Sequence, residues 1–201
     1  VSACMVMVVI MGDTVNRPKE RIPSNKNERD HLSSLAWHLP IYLSAIDASG
    51  KIVTPGFIDA HAHGDPLSGP EFHNFLAMGG TTICLGQDGS SPAEADLSRW
   101  MEKVDSVHPG VNIAMFAGHG TLRRLSGTEY KEVPTAEERT QMQELLQQAL
   151  EAGAFGMSTG LEYTPGAYAG EEELLALARI IGAENGLIMS HVRNEDEEAI
   201  E

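Results

Sequence analysis

His61 and His63 stand two residues apart at the end of the run Val53-Thr-Pro-Gly-Phe-Ile-Asp-Ala-His-Ala-His-Gly-Asp65. In an extended strand, residues two apart lie on one face, about 7 Å from each other. Both imidazoles then project together, with Asp59 and Asp65 on the same alternation. Neutral imidazoles beside carboxylates suit a divalent cation of the zinc class. A lone His-x-His is equally a pair of polar residues at a strand end. Its meaning depends on what the other strands bring to the same level.

Short apolar runs that end in polar or glycine residues recur along the chain. Strands are predicted at Gly56–His61, Thr81–Gly86, Asn112–Ala117, Ala154–Ser158 and Gly186–His191. Their C-terminal ends carry, in order, His61, His63 and Asp65; Gln87-Asp88-Gly89; Gly118-His119-Gly120; Ser158-Thr-Gly-Leu-Glu-Tyr163; and Ser190-His191-Val-Arg193. Each has a structural alternative. Asp88 is a bridging metal ligand, or else a turn residue or helix N-terminal cap. His191 is a ligand or a core histidine closing an apolar run. His119, in Gly-His-Gly, contacts substrate or supports the fold. Tyr163 faces substrate or is a turn aromatic before Pro165-Gly166. Cys84 lies four residues deeper than Asp88 and is read as core.

Helical stretches are predicted between the strands, near Pro70–Met78, Pro92–Val107, Ala136–Ala152 and Glu171–Asn185, with another beginning at Glu195. Ser91-Pro-Ala-Glu94 and Thr135-Ala-Glu-Glu138 have capping-box spacing. Met142, Leu145, Leu146, Ala149 and Ala152 fall on one helical face, and Gly153 suits the C′ position. Leu174, Leu175, Ala178, Ile181 and Gly182 are the inward set expected for the next helix. Its leading glutamates complement the helix dipole.

Strand–helix alternation of this kind predicts right-handed βαβ units and a parallel sheet. No G-x-G-x-x-G follows the first strand, which speaks against a dinucleotide fold. Chemistry-bearing residues at several strand C-termini instead suit a (β/α)8, TIM-like barrel. Five of its eight units are visible. The expected division is an N-terminal segment at 1–52, irregular or part of a small β-sandwich, and a partial barrel at 53–201. Residues 1–45 carry little period, and both ends of the chain read as cut.

The chain has 201 residues, 42% of them hydrophobic, enough for one full-sized core. Fourteen Lys and Arg against 29 Asp and Glu give a formal charge of −15, which excludes nucleic acid as the expected partner. The opening VSACMVMVVIM is too short to span a membrane, so no membrane association is expected. Two cysteines make no disulfide framework and point to a reducing cytoplasm.

Thr54-Pro-Gly-Phe-Ile-Asp-Ala-His-Ala-His63 resembles the first-strand signature of the amidohydrolase superfamily. Gly118-His-Gly-Thr-Leu-Arg-Arg124, Gly156-Met-Ser-Thr-Gly-Leu-Glu-Tyr-Thr-Pro-Gly166 and Ser190-His-Val-Arg-Asn-Glu195 are narrower. They resemble the N-acyl-D-amino-acid deacylase (D-aminoacylase) branch, over residues 46–201. The resemblance implies a metal-dependent hydrolase of linear amides acting on small N-acyl amino acids. It carries one or two zinc ions, or another divalent metal. His61 and His63 would hold the weaker metal and His191 the tighter one. The branch often bridges its metals with a cysteine in Asn-Cys-Gly, and this chain has Gln87-Asp88-Gly89 there.

The same resemblance implies a sixth-strand histidine and an eighth-strand aspartate acting as general base, both expected beyond Glu201. Tyr163 would hydrogen-bond the scissile carbonyl, and Arg193 or Arg123 would meet a substrate carboxylate. Residues 1–201 alone are expected to show little deacylase activity. Two alternatives are a cyclic-amide hydrolase, which usually carries a fourth-strand lysine absent here, and a non-catalytic relic.

Overall fold

The computed structural model describes residues 48–196. The chain divides into two units, residues 1–55 and 56–201. Of the first, the described part is a turn closed by Lys51 N–H donating to Ala48 O at 2.9 Å. It stands where the sequence predicted a glycine turn. The expectations for residues 1–45, including Cys4, and for a helix over 197–201 lie outside the described residues.

The second unit alternates strands and helices. Its strands are β1 (Phe57–Asp59), β2 (Gly80–Leu85), β3 (Asn112–Met115), β4 (Ala117–Gly118), β5 (Gly156–Gly160) and β6 (Leu187–His191). Its helices are α1 (His73–Met78), α2 (Leu97–Val107), α3 (His119–Leu125), α4 (Ala136–Glu151) and α5 (Glu171–Ala183), with a 3-10 turn at Gly166–Tyr168. Among the described residues these strands pair in parallel, in the orders β1-β2-β3 and β4-β5-β6. The two sheets meet at Phe116. Its N–H donates to Leu85 O, while Met115 O accepts from Phe155 N–H, both at 2.9 Å. One extended segment, 112–118, therefore pairs first with β2 and then with β5. Every strand points its C-terminus the same way, which gathers the polar residues predicted there.

The core lies between the strands and one layer of helices. Ile83, Leu85, Met115 and Met157 pack in one cluster with Leu97, Trp100 and Val104 of α2, Met142 and Leu146 of α4, and Leu177 and Ile181 of α5. Helix α4 follows its sequence closely. Thr135 and Glu138 form the reciprocal capping box, and Met142, Leu145, Leu146 and Ala149 are buried. At its end Gly153 N–H donates to Leu150 O and Ala154 N–H to Ala149 O, a Schellman closure with Gly153 at φ 107°.

Three expectations need correction. Helix α2 starts at Leu97, capped by Asp96, whose carboxylate accepts from Ser98 N–H. Ser91 does not cap it, because its hydroxyl accepts from Gly118 N–H and its own N–H donates to Thr121 Oγ1, each at 3.0 Å. Helix α5 buries Glu173, Leu177 and Ile181, leaving Leu175 and Gly182 exposed. The inward stripe is thus displaced from the expected one by a carboxylate that the core accepts. Helix α3, unpredicted, begins directly at the end of β4.

Candidate metal centre

The loop after β2 carries the central residue. Asp88 has a left-handed backbone, φ 53°, between Gln87 and Gly89 (φ 72°). Asparagine and aspartate tolerate that region better than most side chains. The loop is fixed from several sides. Gln87, buried, donates through Nε2 to Ala60 O and Cys84 O, both at 3.1 Å, tying the β1 and β2 ends together. Gly89 N–H donates to Ser158 Oγ on β5 at 3.0 Å, and that hydroxyl donates to Gly86 O. A Cβ on Gly160 would lie 2.2 Å from Asp88 O, so the backbones pass in direct contact.

After β1, Ala62 turns inward and its N–H donates to Cys84 O at 3.1 Å, while His61 and His63 face outward. Their Nε2 atoms lie 3.4 and 3.0 Å from Asp88 Oδ2. The other oxygen, Oδ1, lies 3.6 Å from His191 Nδ1 at the end of β6. One carboxylate thus stands between histidines from two other strand ends. The ligand atoms of His61, His63 and Asp88 all fall within 4.8 Å of one another.

These residues fit a divalent cation on two grounds. Bonds of about 2.0–2.1 Å at a tetrahedral angle put ligand atoms roughly 3.4 Å apart, close to the three separations above. In addition, Asp88 Oδ1 is buried and has no hydrogen-bond donor, an expensive arrangement for a carboxylate without a counter-charge.

Asp59 and Asp65, aligned with the histidines by alternation, serve turns instead. Asp59 Oδ1 accepts from His61 N–H at 3.1 Å. Asp65 accepts from Leu67 N–H and Ser68 Oγ, and those hydrogen bonds hold its carboxyl below the ordinary aspartate value. Cys84 is half-buried, and burial followed by the charge of Asp59 raises its thiol pKa.

At the β5 end, Glu162 Oε2 lies 2.9 Å from His191 Nε2, and the Tyr163 ring sits 4.5 Å from the imidazole. The hydrogen bond to Glu162 raises the His191 pKa; burial opposes it, and the charges of Glu195 and Asp88 add to it. Tyr163 is 47% exposed. Its phenol is pushed up by desolvation and by the charges of Asp88, Glu162 and Glu195, so it stays a hydrogen-bond donor. Arg193, exposed, donates to Ala167 O and Ala169 O at 2.6 and 2.9 Å, bracing the turn that follows Tyr163.

His119 and Arg123 occupy a separate, sealed network. Both are completely buried, and both meet Glu173 of α5. Arg123 Nε donates to Glu129 O at 2.9 Å and its Nη2 to Lys131 O. The guanidinium that the sequence offered to a substrate carboxylate is therefore spent on the protein's own groups. His119 Nε2 lies 2.7 Å from Glu173 Oε1. Sequence reading missed Glu162 and Glu173, because each acquires its partner only through the fold.

A family model described as the amidohydrolase family matches residues 44–199. An N-acyl-D-glutamate deacylase of Alcaligenes xylosoxydans xylosoxydans is 36% identical, over 75% of this chain and 35% of that protein. A D-aminoacylase of the same organism is 33% identical, over 84% of this chain and 39% of its own length. A solved N-acyl-D-glutamate deacylase from Bordetella bronchiseptica, complexed with zinc and a phosphonate mimic of the tetrahedral intermediate, superposes with a TM-score of 0.68. It is 36% identical, over 72% of this chain and 35% of that one. The chain thus spans little more than a third of the length of these relatives. The parallel α/β arrangement, the strand-end histidines around Asp88 and the family match agree: the chain belongs to the amidohydrolase family.

Proposed function

We propose that these residues form part of a metal-dependent hydrolase that removes the acyl group from N-acyl-D-amino acids. The observation that carries the reading is Asp88, one carboxylate with an oxygen toward His61 and His63 and the other toward His191. The deacylase relatives and the zinc in the Bordetella structure support the reaction and the metal class. His61, His63, Asp88 and His191 would hold one or two zinc-class cations. Such a cation, when bound, polarises the amide carbonyl and lowers the pKa of a water molecule.

The chain's own residues then have separate tasks. Three imidazoles offer lone pairs, and Asp88 supplies the negative charge between them. Tyr163, protonated and exposed, donates a hydrogen bond to an oxygen that gains charge as the amide is attacked. Arg193, an exposed residue whose Nη1 and Nη2 each already donate to a carbonyl of the same turn, has N–H groups left over and is the arginine suited to a substrate carboxylate. Arg123 and His119 are left out of the substrate set, since their network with Glu173 is sealed.

The consecutive parallel strands and the coverage of the relatives support reading this unit as about the first five βα units of a (β/α)8 barrel. On that reading the general base and a further histidine ligand lie beyond residue 201. Cysteine usage suits a reducing cytoplasm. Among the described residues no helix is long and apolar enough to cross a membrane. β5 carries no lysine, and the relatives are deacylases of linear amides, so the cyclic-amide alternative gains no support.

Metal analysis and a chirality assay test the reading together. Zinc-equilibrated protein is expected to retain zinc, and His61→Ala to retain less. The longest reading frame containing these residues is expected to release amino acid from N-acetyl-D-substrates and not from their L-enantiomers. Absence of bound zinc in the parent, or preference for the L-series, would sink the proposal.

A further inference from the structure

We propose that Glu162 is a positioning residue that fixes the tautomer of His191, a role that rests on the metal centre proposed above. A neutral imidazole has one N–H donor and one bare lone pair, and its neighbours decide which nitrogen is which. Here Nε2 lies 2.9 Å from Glu162 Oε2. An ionised carboxylate only accepts, so Nε2 carries the hydrogen. In the neutral ring Nδ1 is then the bare lone pair, and it faces Asp88 Oδ1 at 3.6 Å.

With the ring neutral, two acceptors face each other across that gap. Asp88 Oδ1 is buried and takes no hydrogen bond. A cation satisfies both atoms. The opposite tautomer would put a hydrogen on Nδ1, aim it at Asp88, and block the lone pair a cation needs. Glu162 excludes that arrangement.

The placement follows from the strand ends. Leu161 N–H donates to the carbonyl of His191 itself at 3.0 Å, and Tyr163 N–H donates to Gly160 O at 3.1 Å. The backbone that carries Glu162 is thereby fastened to the residue it orients. The Tyr163 ring, 4.5 Å from the imidazole and tilted 43°, limits rotation of the ring plane. Glu195 Oε1 lies 3.7 Å from the same Nε2, beyond hydrogen-bond reach.

The test uses the full chain, labelled with 15N-histidine, and two substitutions. Glu162→Gln keeps an oxygen that accepts the Nε2–H, whereas Glu162→Ala keeps none. In metal-free parent and Glu162→Gln, at a pH high enough to leave the ring neutral, the ring shifts of His191, assigned by their loss in His191→Gln, should report the Nε2–H tautomer. Glu162→Ala should show a mixture. Zinc affinity by calorimetry should fall about 10–100-fold in Glu162→Ala, as for other carboxylates that orient a ligating histidine, and fall far less in Glu162→Gln. An Nδ1–H tautomer in the parent, or unchanged shifts and affinity in Glu162→Ala, overturns the proposal. So does equal loss of zinc in both variants with an unaltered tautomer, which would make Glu162 a direct ligand. A parent that takes up no zinc but shows the Glu162-dependent tautomer upholds this role and defeats the metal centre instead.

Discussion

One terminal nitrogen of Arg123 donates to both oxygens of Glu173 at 2.8 Å, with both side chains shut off from solvent. The pair joins α3 to α5 and, through the Glu129 and Lys131 carbonyls, to the loop between α3 and α4. Removing one partner leaves a buried, uncompensated charge. Glu173→Ala is expected to cost about 3–5 kcal/mol, measured by urea unfolding. A loss below about 1 kcal/mol, the scale of an exposed pair, would show that the network does not hold the fold.

Asp88→Asn tests the ligand geometry without removing the side chain. It keeps the shape of the loop and discards the charge between the histidines. Bound zinc should drop by more than about tenfold in affinity, at least the effect of losing an orienting group, while the thermal midpoint of metal-free protein stays close to the parent's. Undiminished zinc binding by equilibrium dialysis would remove Asp88 from the site.

Gly160→Ala acts on the same loop from behind. The added methyl would sit 2.2 Å from Asp88 O, against backbone that has no rotamer to retreat into. Displacement of Asp88 should lower zinc binding and stability together, the latter by roughly 1–3 kcal/mol as for overpacking elsewhere. Gly127→Ala is the contrasting control, since its Cβ meets nothing within 4 Å and only its φ of 75° is strained.

The capping box of α4 offers a smaller, local effect. Thr135→Ala removes the acceptor for Glu138 N–H and should cost about 1 kcal/mol, read from the denaturation midpoint. Metal content should not change.

Cys84 gives a pH-dependent readout. Burial, and then the charge of Asp59, raise its thiol pKa. Its thiolate fraction at pH 8 is therefore below that of free cysteine, and alkylation should be slower than for a model thiol. The reactive form should gain as pH rises past the ordinary thiol range. Asp59→Asn removes only the second cause and should speed labelling modestly, followed by peptide-resolved mass spectrometry. Labelling as fast as free cysteine would contradict the shift.

The gathering of His61, His63, Asp88 and His191 was legible in the sequence because a parallel sheet converts order along the chain into a shared edge. His61, His63, Asp88 and His191 each follow an apolar run; alternation pairs the two histidines, but it also pointed to Asp59 and Asp65, which serve turns, and it does not place Asp88, which sits on a left-handed loop. Helix α4 was legible for the same local reason, since its cap, stripe and terminal glycine lie within twenty residues. What stayed hidden depends on distant partners. Glu173 reads as the third of three solvated glutamates until Arg123, fifty residues earlier in the chain, reaches it. Glu162 reads as a loop charge until β6 returns beside β5. Ser91 has a helix-capping pattern, but the β4 end takes its hydroxyl first. The inward phase of α5 was misread because a buried glutamate looks like a surface residue to any hydrophobic count.

The close contacts around the loop after β2 decide which of its positions can accept a new side chain. The frame at Gly89, Gly118 and Gly160 leaves no room for a side chain, since an added Cβ would lie 2.8, 2.6 and 2.2 Å from neighbouring backbone. Asp88, held at the tip of that frame, points away from it and is 20% exposed. A substitution at Asp88 therefore changes what the side chain offers His61, His63 and His191, whereas one at any of the three glycines must first displace backbone.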